Sequence, residues 1–264
     1  MSASRTTRIG LRVAALGYLA VLLLVPVGLV FYRTLEPGLG AVIESVTTPA
    51  AISAFWLTLE IAAIAVPLNT IFGVVTALVL VRGRFRGKAM LDALIDLPFA
   101  ISPVVVGLSL ILIYGADGWV QLPFQVLFAL PGMVLATIFV CLPFVVREVA
   151  PVLREIGDEQ EQAASTLGAS RWQTFWRITL PAIRYGVAYG VVLTTARAIG
   201  EFGAVSVVSG KVAGETETLT LLVEKRFQNF DLAGAYAASA LLALIALATL
   251  LAMTLLKPRK ETTT

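Results

Sequence analysis

The amino-acid sequence predicts an all-α integral membrane protein with six transmembrane helices. Three observations carry that expectation. The chain is 58% hydrophobic and only 14% charged over 264 residues, with a mean hydropathy of +0.88. A soluble domain is about half apolar and about a quarter charged. Six apolar segments are long enough to cross a bilayer. The cations gather at one set of segment edges and are scarce at the other.

Taken in order, Arg5, Arg8 and Arg12 precede the apolar run Val13–Tyr32. That run is too long for the apolar region of a cleavable signal peptide, and no small-x-small cleavage site follows it. It is expected to stay as a first membrane helix. Further spans are expected near Phe55–Val81, Leu97–Tyr114, Leu130–Val146, Tyr185–Val208 and Leu232–Leu256. About 20 residues at ~1.5 Å each cover the ~30 Å hydrocarbon core. The third and fourth spans are the short ones. They carry Pro103, Pro131 and Pro143, so kinked or partly irregular helices are expected, tolerable only where protein or water surrounds the backbone. Trp119–Phe128 is apolar but short and holds Pro123, which suits an interfacial hairpin rather than a seventh span.

The cations set the orientation. Arg5, Arg8, Arg12, Arg82, Arg84, Arg86, Lys88, Arg147, Arg154, Arg171, Arg177, Arg184, Lys257, Arg259 and Lys260 all fall on one side. The other side has Arg33, Lys211, Lys225 and Arg226, and Arg197 lies within the fifth span. This bias predicts that both termini are cytoplasmic. The expected organisation is an N-terminal tail, first helix and external loop over 1–53, a transmembrane domain over 54–257, and a cytoplasmic tail over 258–264.

Composition also excludes chemistry. Histidine is absent, and Cys141 is the single cysteine. Ser-His and Cys-His catalysis, haem ligation by histidine and intrachain disulfides are therefore ruled out. No catalytic residue, metal site or cofactor is expected in the chain. A net charge of +3, with cations tracking membrane edges, gives no nucleic-acid footprint. Gly83–Ala89 superficially resembles a phosphate loop. It is one residue short, and Ala89 stands where a Ser or Thr would hold magnesium. No nucleotide-binding site is expected in this chain.

The most informative stretch is the polar interruption 158–181, DEQEQAASTLGASRWQTFWRITLP, predicted to be cytoplasmic between the fourth and fifth spans. Asp158 and Glu161 have capping-box spacing for a short helix. Ala163, Ala164 and Leu167 share its face. Gly168 suits a left-handed helix end, and Ala169 and Ser170 lead to a second helix. There Trp172, Phe175 and Trp176 share a face. Pro181 ends the run. Small residues beside an aromatic patch at a membrane surface read as a docking knob for another protein.

This stretch resembles the EAA loop of the membrane subunits of ATP-binding-cassette importers. Gln162-Ala163-Ala164, Gly168, Ile178, Leu180 and Pro181 match the pattern in register. The departure is Gln162 where Glu is usual. Glu161 sits about 100° around the helix and does not simply replace it. The resemblance implies a type I (MetI-like) permease fold. It also implies that 158–181 is the coupling loop inserting into an ATPase groove, with Glu161, Gln162, Ala163, Ala164, Leu167, Gly168, Ala169, Phe175, Leu180 and Pro181 as the coupling set. The aromatics of the second helix would anchor it to its own bundle.

Thr195–Gly210, TARAIGEFGAVSVVSG, and the following KVAGETETLTLLVEKRFQNFD are similar to the sulfate/thiosulfate permeases of the CysW type. Molybdate permeases share the Arg-Ala-x-Gly-Glu-Phe-Gly-Ala core, so molybdate, tungstate or another oxyanion stands as the alternative cargo. The resemblance implies a homologous permease partner of the CysT type, two ATPase subunits of the CysA type, and an extracytoplasmic binding protein docking on Lys211–Asp231. It implies a home in the bacterial inner membrane. An integral-membrane enzyme would need clustered acid, base or metal ligands, and a self-sufficient channel would not need a docking loop.

Arg197 and Glu201 stand at i, i+4 in the fifth span. Charges at bilayer depth face the bundle interior or water. Arg197 either lends positive potential to an anion path, with Glu201 orienting it and Ser206 and Ser209 nearby, or the two form an ordering ion pair. Gly186 and Gly190 form a GxxxG, which suits close packing either between two permease subunits or within one.

Overall fold

The computed structural model describes residues 5–255, and every regular element among them is helical. The expectations for Lys257, Arg259, Lys260, the last residue of the sixth span and the tail 258–264 lie outside the described residues. The elements are α1 (Arg5–Leu35), α2 (Leu39–Val46), α3 (Pro49–Arg82), α4 (Lys88–Ala100), α5 (Pro103–Tyr114), α6 (Leu130–Ile156), α7 (Glu159–Thr166), α8 (Arg171–Thr174), a π-helical turn (Phe175–Thr179), α9 (Leu180–Ile199), α10 (Val205–Val208), α11 (Leu219–Gln228) and α12 (Leu232–Leu255).

Four helices are long and apolar enough to span a membrane: α1, α3, α6 and α12. The α4–α5 pair makes a fifth if counted as one broken span. The expected third span Leu97–Tyr114 is thus corrected. Its chain breaks at Ile101 and Ser102 and bends by 108°. Pro103 is the cause, because a residue before proline is pushed out of helical backbone, and Ser102 is extended at ψ 134°. The 12 residues of α5 cover only ~18 Å.

The expected fifth span Tyr185–Val208 is also corrected. Its helix α9 begins earlier, at Leu180, and stops at Ile199. Gly200 closes α9, and Glu201–Ala204 form an irregular break before α10. With 20 residues α9 is long enough to span, but Arg184, Arg197 and its tyrosines and threonines lower its hydropathy below that of the four.

The third correction concerns the expected external loop Lys211–Asp231. Half of it is α11, whose Leu219 and Leu222 are buried with Ala51, Ala54 and Ala238. Leu219, Leu222 and Val223 already had helical spacing. Arg226 fixes this helix to its neighbours, donating to Ser45 O at 2.9 Å, Thr48 Oγ1 at 3.0 Å and Gly234 O at 3.1 Å. Trp119–Phe128, expected as an interfacial segment, contains no regular helix.

The centre of the bundle is the packing of α3, α6 and α9 on one another. Small residues make this possible, because membrane helices gain by close backbone approach. Val145 of α6 is wholly buried and wedged between two glycines. A Cβ on Gly73 of α3 would lie 2.5 Å from Val145 Cβ, and one on Gly190 of α9 would lie 2.9 Å from Val145 Cα. One turn away, a Cβ on Gly186 would lie 3.1 Å from Glu148 O. The Gly186–Gly190 pair therefore packs against this chain's own α6, which answers the open choice about that motif. Replacing Gly190 with Val is expected to destabilise the bundle by ~1–3 kcal/mol through overpacking against backbone. Thermal unfolding in detergent checks this; an unchanged midpoint would mean the contact is not tight.

Around this centre, α12 packs on α11, α1, α2 and α9, and α4 and α5 pack on α6. α1 is the most peripheral helix. From Ile9 to Leu35 its side chains are largely exposed, and it is tied to α12 where Thr34 Oγ1 donates to Tyr236 O at 3.0 Å. The helix α3 starts at Pro49 with Thr48 as its cap, so the expected domain boundary at 53/54 falls inside it. Arg147 of α6 binds both Asp92 (2.9 Å) and Asp96 (Nε to Oδ1, 2.8 Å), holding α4 against α6.

Candidate functional site

Two polar constellations stand out at opposite parts of the bundle. The first is the loop 158–181, which joins α6 to α9 beside the end of α3. Asp158 precedes α7 but its side chain makes no capping bond. The expected capping box is corrected, because Glu161 is engaged elsewhere. Its carboxylate accepts from Arg82 Nε at 3.0 Å and from Thr179 Oγ1 at 2.8 Å. Arg82 also donates to Leu153 O at 3.1 Å and to Gly157 O at 2.5 Å.

The C-terminus of α7 forms as the glycine predicts. Gly168 has φ +85°. Its N–H donates to Ser165 O, and the N–H of Ala169 donates to Ala164 O, both at 3.0 Å. This double bond pattern is the Schellman end of a helix. It turns the chain sharply and leaves Leu167 at the tip, 88% exposed. Gln162 and Ala163 are exposed beside it, while Ala164 and Ala169 are half-buried. A Cβ on Gly168 would meet no atom within 4 Å. The outer face of the loop is thus small side chains around one protruding leucine, and Gln162 and Glu161 point to different surroundings.

The second helix begins with a complete capping box. Ser170 Oγ accepts from Gln173 N at 3.3 Å, and Gln173 Oε1 accepts from Ser170 N at 2.9 Å. Trp172, Phe175 and Trp176 do cluster, with ring centroids 5.5–6.2 Å apart. Only Phe175, with Leu180, packs against the buried core of Val145, Val149 and Leu153. Trp172 and Trp176 are exposed, so the expectation that all three aromatics anchor the helix to its own bundle is corrected. Pro181, also exposed, stands at the first turn of α9, where it needs no helical donor.

The second constellation is the break after α9. Arg197 is in its last turn, where a cation suits the helix dipole. Glu201 is no longer helical, yet the expected pair forms, Arg197 NH1 to Glu201 Oε2 at 2.6 Å. The Glu201 side chain is 1% exposed and that of Arg197 32% exposed. Glu201 Oε1 accepts from Ala204 N at 2.8 Å, capping the start of α10. One carboxylate therefore neutralises the arginine and shapes the chain break. A small cavity of about 10 Å³ lies on the buried side of Glu201, lined by Thr58, Thr137 and Thr218, which is about the room of one water.

Ser206 is half-buried, with its hydroxyl donating to Gly203 O at 2.9 Å. Ser209 is buried and doubly engaged, donating to Thr216 O and accepting from Lys211 N at 3.0 Å. It holds the loop after α10. The structure thus groups Arg197 with Glu201, and places Ser206 within α10 and Ser209 at its end.

Sequence reasoning missed several participants. Arg82 counted only as a membrane-edge cation. Thr58 of α3 accepts from Leu219 N at 2.9 Å. Glu217, 1% exposed, pairs with Lys225 at 2.8 Å. Each partner is more than 70 residues away or across a helix start, so local spacing carries no sign of the first two. Phe230, 89% exposed, has φ +61°, a conformation uncommon for a bulky residue.

Comparison with known proteins covers the stretch of chain that holds both constellations. Residues 69–262 match the model of the binding-protein-dependent transport system inner membrane component family. The sulfate transport system permease protein CysW of Synechocystis is 50% identical over 250 residues, which cover 93% of this chain and 91% of that one. The Escherichia coli protein of the same name is 48% identical, over 92% and 85% of the two chains. The sulfate transport system permease protein CysT of Synechococcus elongatus is 40% identical, over 87% and 84%. Among solved structures, a bacterial ABC transporter involved in the import of the acidic polysaccharide alginate has the same fold. Its TM-score is 0.79 at 19% identity, with 97% of this chain and 96% of that one covered. A polytopic helical bundle, the polar loop between α6 and α9, and a family match over most of the chain agree, and the chain belongs to the binding-protein-dependent transport system inner membrane components.

Proposed function

We propose that this chain is a permease subunit of an ATP-driven importer for sulfate and thiosulfate. The observation that carries the reading is identity of about half over nine-tenths of the chain with relatives named as sulfate transport permeases. The bundle crosses the inner membrane six times, through α1, α3, the bent α4–α5 pair, α6, α9 and α12, with both termini in the cytoplasm. Residues 54–257 form the transporting domain. The chain pairs with a homologous permease of the CysT type and rests on two ATPase subunits of the CysA type, which hold the ATP and magnesium. A binding protein delivers the anion at the outer face, near α11 and Phe230. A solved alginate transporter in complex with its substrate-bound periplasmic protein shares the fold, with a TM-score of 0.78.

In this reading the chain carries out no covalent chemistry. Closure of the ATPase pair displaces the loop 158–181, and the two permease bundles exchange inward-open and outward-open states. Arg197 faces the path and draws the anion, with Glu201 setting its orientation and Ser206 close by. The test is uptake of labelled sulfate by proteoliposomes holding the two permeases and the ATPase, with binding protein and ATP supplied. Uptake is expected to need all of them and to resist excess molybdate. Efficient competition by molybdate would assign the chain to the molybdate or tungstate branch, and uptake by this chain alone would overturn the reading.

A further inference from the structure

We infer that Arg82 and Glu161 form the mechanical joint through which displacement of α7 reaches the membrane spans, with Arg82 as a positioning residue. The inference rests on the proposed importer role of the chain. Its basis is how little else holds α7. That helix packs on α8 and the π-helical turn, and no packing interface of note joins it to α3 or α6. None of its residues is buried. Beneath it lies an open crevice of about 290 Å³ rather than a packed apolar layer, with Leu78, Glu161, Ser165, Arg171, Phe175 and Thr179 in its wall.

Across that crevice one cluster bridges four elements. Arg82 is the last residue of α3. Its guanidinium grips the Glu161 carboxylate of α7 with Nε at 3.0 Å and NH2 at 3.3 Å. It also grips the end of α6 through Leu153 O and Gly157 O. The second face of the carboxylate takes the hydroxyl of Thr179 at 2.8 Å. Thr179 is buried and ends the π-helical turn that leads into α9. Such turns are rare and cluster at functional sites. Here the turn sets Thr179 facing Glu161. Side-chain exposure of 23% for Arg82 and 22% for Glu161 removes much of the competing water. The planar fork of arginine resists rotation in a way that a single ammonium would not. A push on α7 is therefore transmitted through charge-assisted bonds to α3, α6 and α9 together, the three helices of the bundle centre.

The test uses the assembled transporter in proteoliposomes, with sulfate uptake and ATP hydrolysis measured in the same vesicles. Glu161→Gln and Arg82→Gln are expected to lower uptake per ATP hydrolysed by about fivefold or more, the low end of coupling between linked sites. Arg82→Lys should fall between these and the wild type, and Thr179→Val should give a smaller loss in the same direction. Crosslinking from a cysteine at Leu167 to the ATPase is expected to persist in all four. An unchanged uptake-to-hydrolysis ratio overturns the inference. So does loss of the crosslink together with both activities, which would make the cluster a folding element only. If the glutamine variants do not assemble, Thr179→Val decides, and a wild-type ratio there also overturns it. Failure of the wild-type complex to couple hydrolysis to uptake would instead overturn the importer reading.

Discussion

Replacing Gly168 with Val is expected to abolish most transport while leaving membrane insertion intact. Two effects coincide at this residue. Its φ of +85° costs a non-glycine residue roughly 1–2 kcal/mol, and β-branching makes the strain worse. The Schellman turn through Ser165 O and Ala164 O would open, and Leu167 would lose its fixed presentation. The added side chain meets nothing within the chain, so the bundle itself is undisturbed, and the obstruction falls on whatever docks there. A fall of about tenfold or more in uptake corresponds to only ~1.4 kcal/mol lost at the docking contact. Sulfate uptake, ATP hydrolysis and crosslinking from Leu167 measured side by side would check it. Normal uptake would count heavily against a docking role for this loop.

Arg197→Gln is the second large effect. Uptake is expected to drop by about an order of magnitude, equivalent to ~1.4 kcal/mol, with the complex still assembled. The substitution also leaves the Glu201 carboxylate buried without its countercharge. Orphaning a buried charge costs ~3–5 kcal/mol in a closed interior, and the partial exposure of Arg197 places this site at the lower end. The paired change Arg197→Gln with Glu201→Gln separates the two consequences. It removes both charges, and an amide at 201 can still accept from Ala204 N, so thermal stability should return. Uptake should remain low if the arginine acts on the anion. If uptake returns along with stability, the pair only orders the break after α9.

Much of the loop 158–181 was legible because it is local. The helix from Glu159, the left-handed Gly168 and the aromatic cluster of Trp172, Phe175 and Trp176 follow from spacings of three to six residues. The capping box was misassigned for an instructive reason. Asp158 and Glu161 have the right spacing, but a guanidinium 79 residues away at Arg82 competes for the same carboxylate and wins, because a charge-assisted fork outweighs one backbone N–H. The true capping box lies twelve residues on, at Ser170 and Gln173, where nothing competes.

The spans show the same division. The apolar runs and the cation bias are one-dimensional quantities, set by what each residue prefers as solvent, so a helical membrane bundle with a polar loop between α6 and α9 could be read from residue order alone. Pro103 marks one break locally, but how far the chain bends there and where α9 ends depend on packing. The bend at Ser102–Pro103 is stabilised by α5 packing on α10, with Gly107 and Gly203 admitting Val207 and Pro103 at close range. The break after α9 is held from α11, where Thr220 Oγ1 donates to Glu201 O at 2.9 Å. The seating of Gly186 and Gly190 on α6, rather than on another subunit, depends on Val145 standing between α3 and α9. Contacts of that kind depend on three-dimensional distance between residues far apart in the chain, and only the assembled bundle sets that distance.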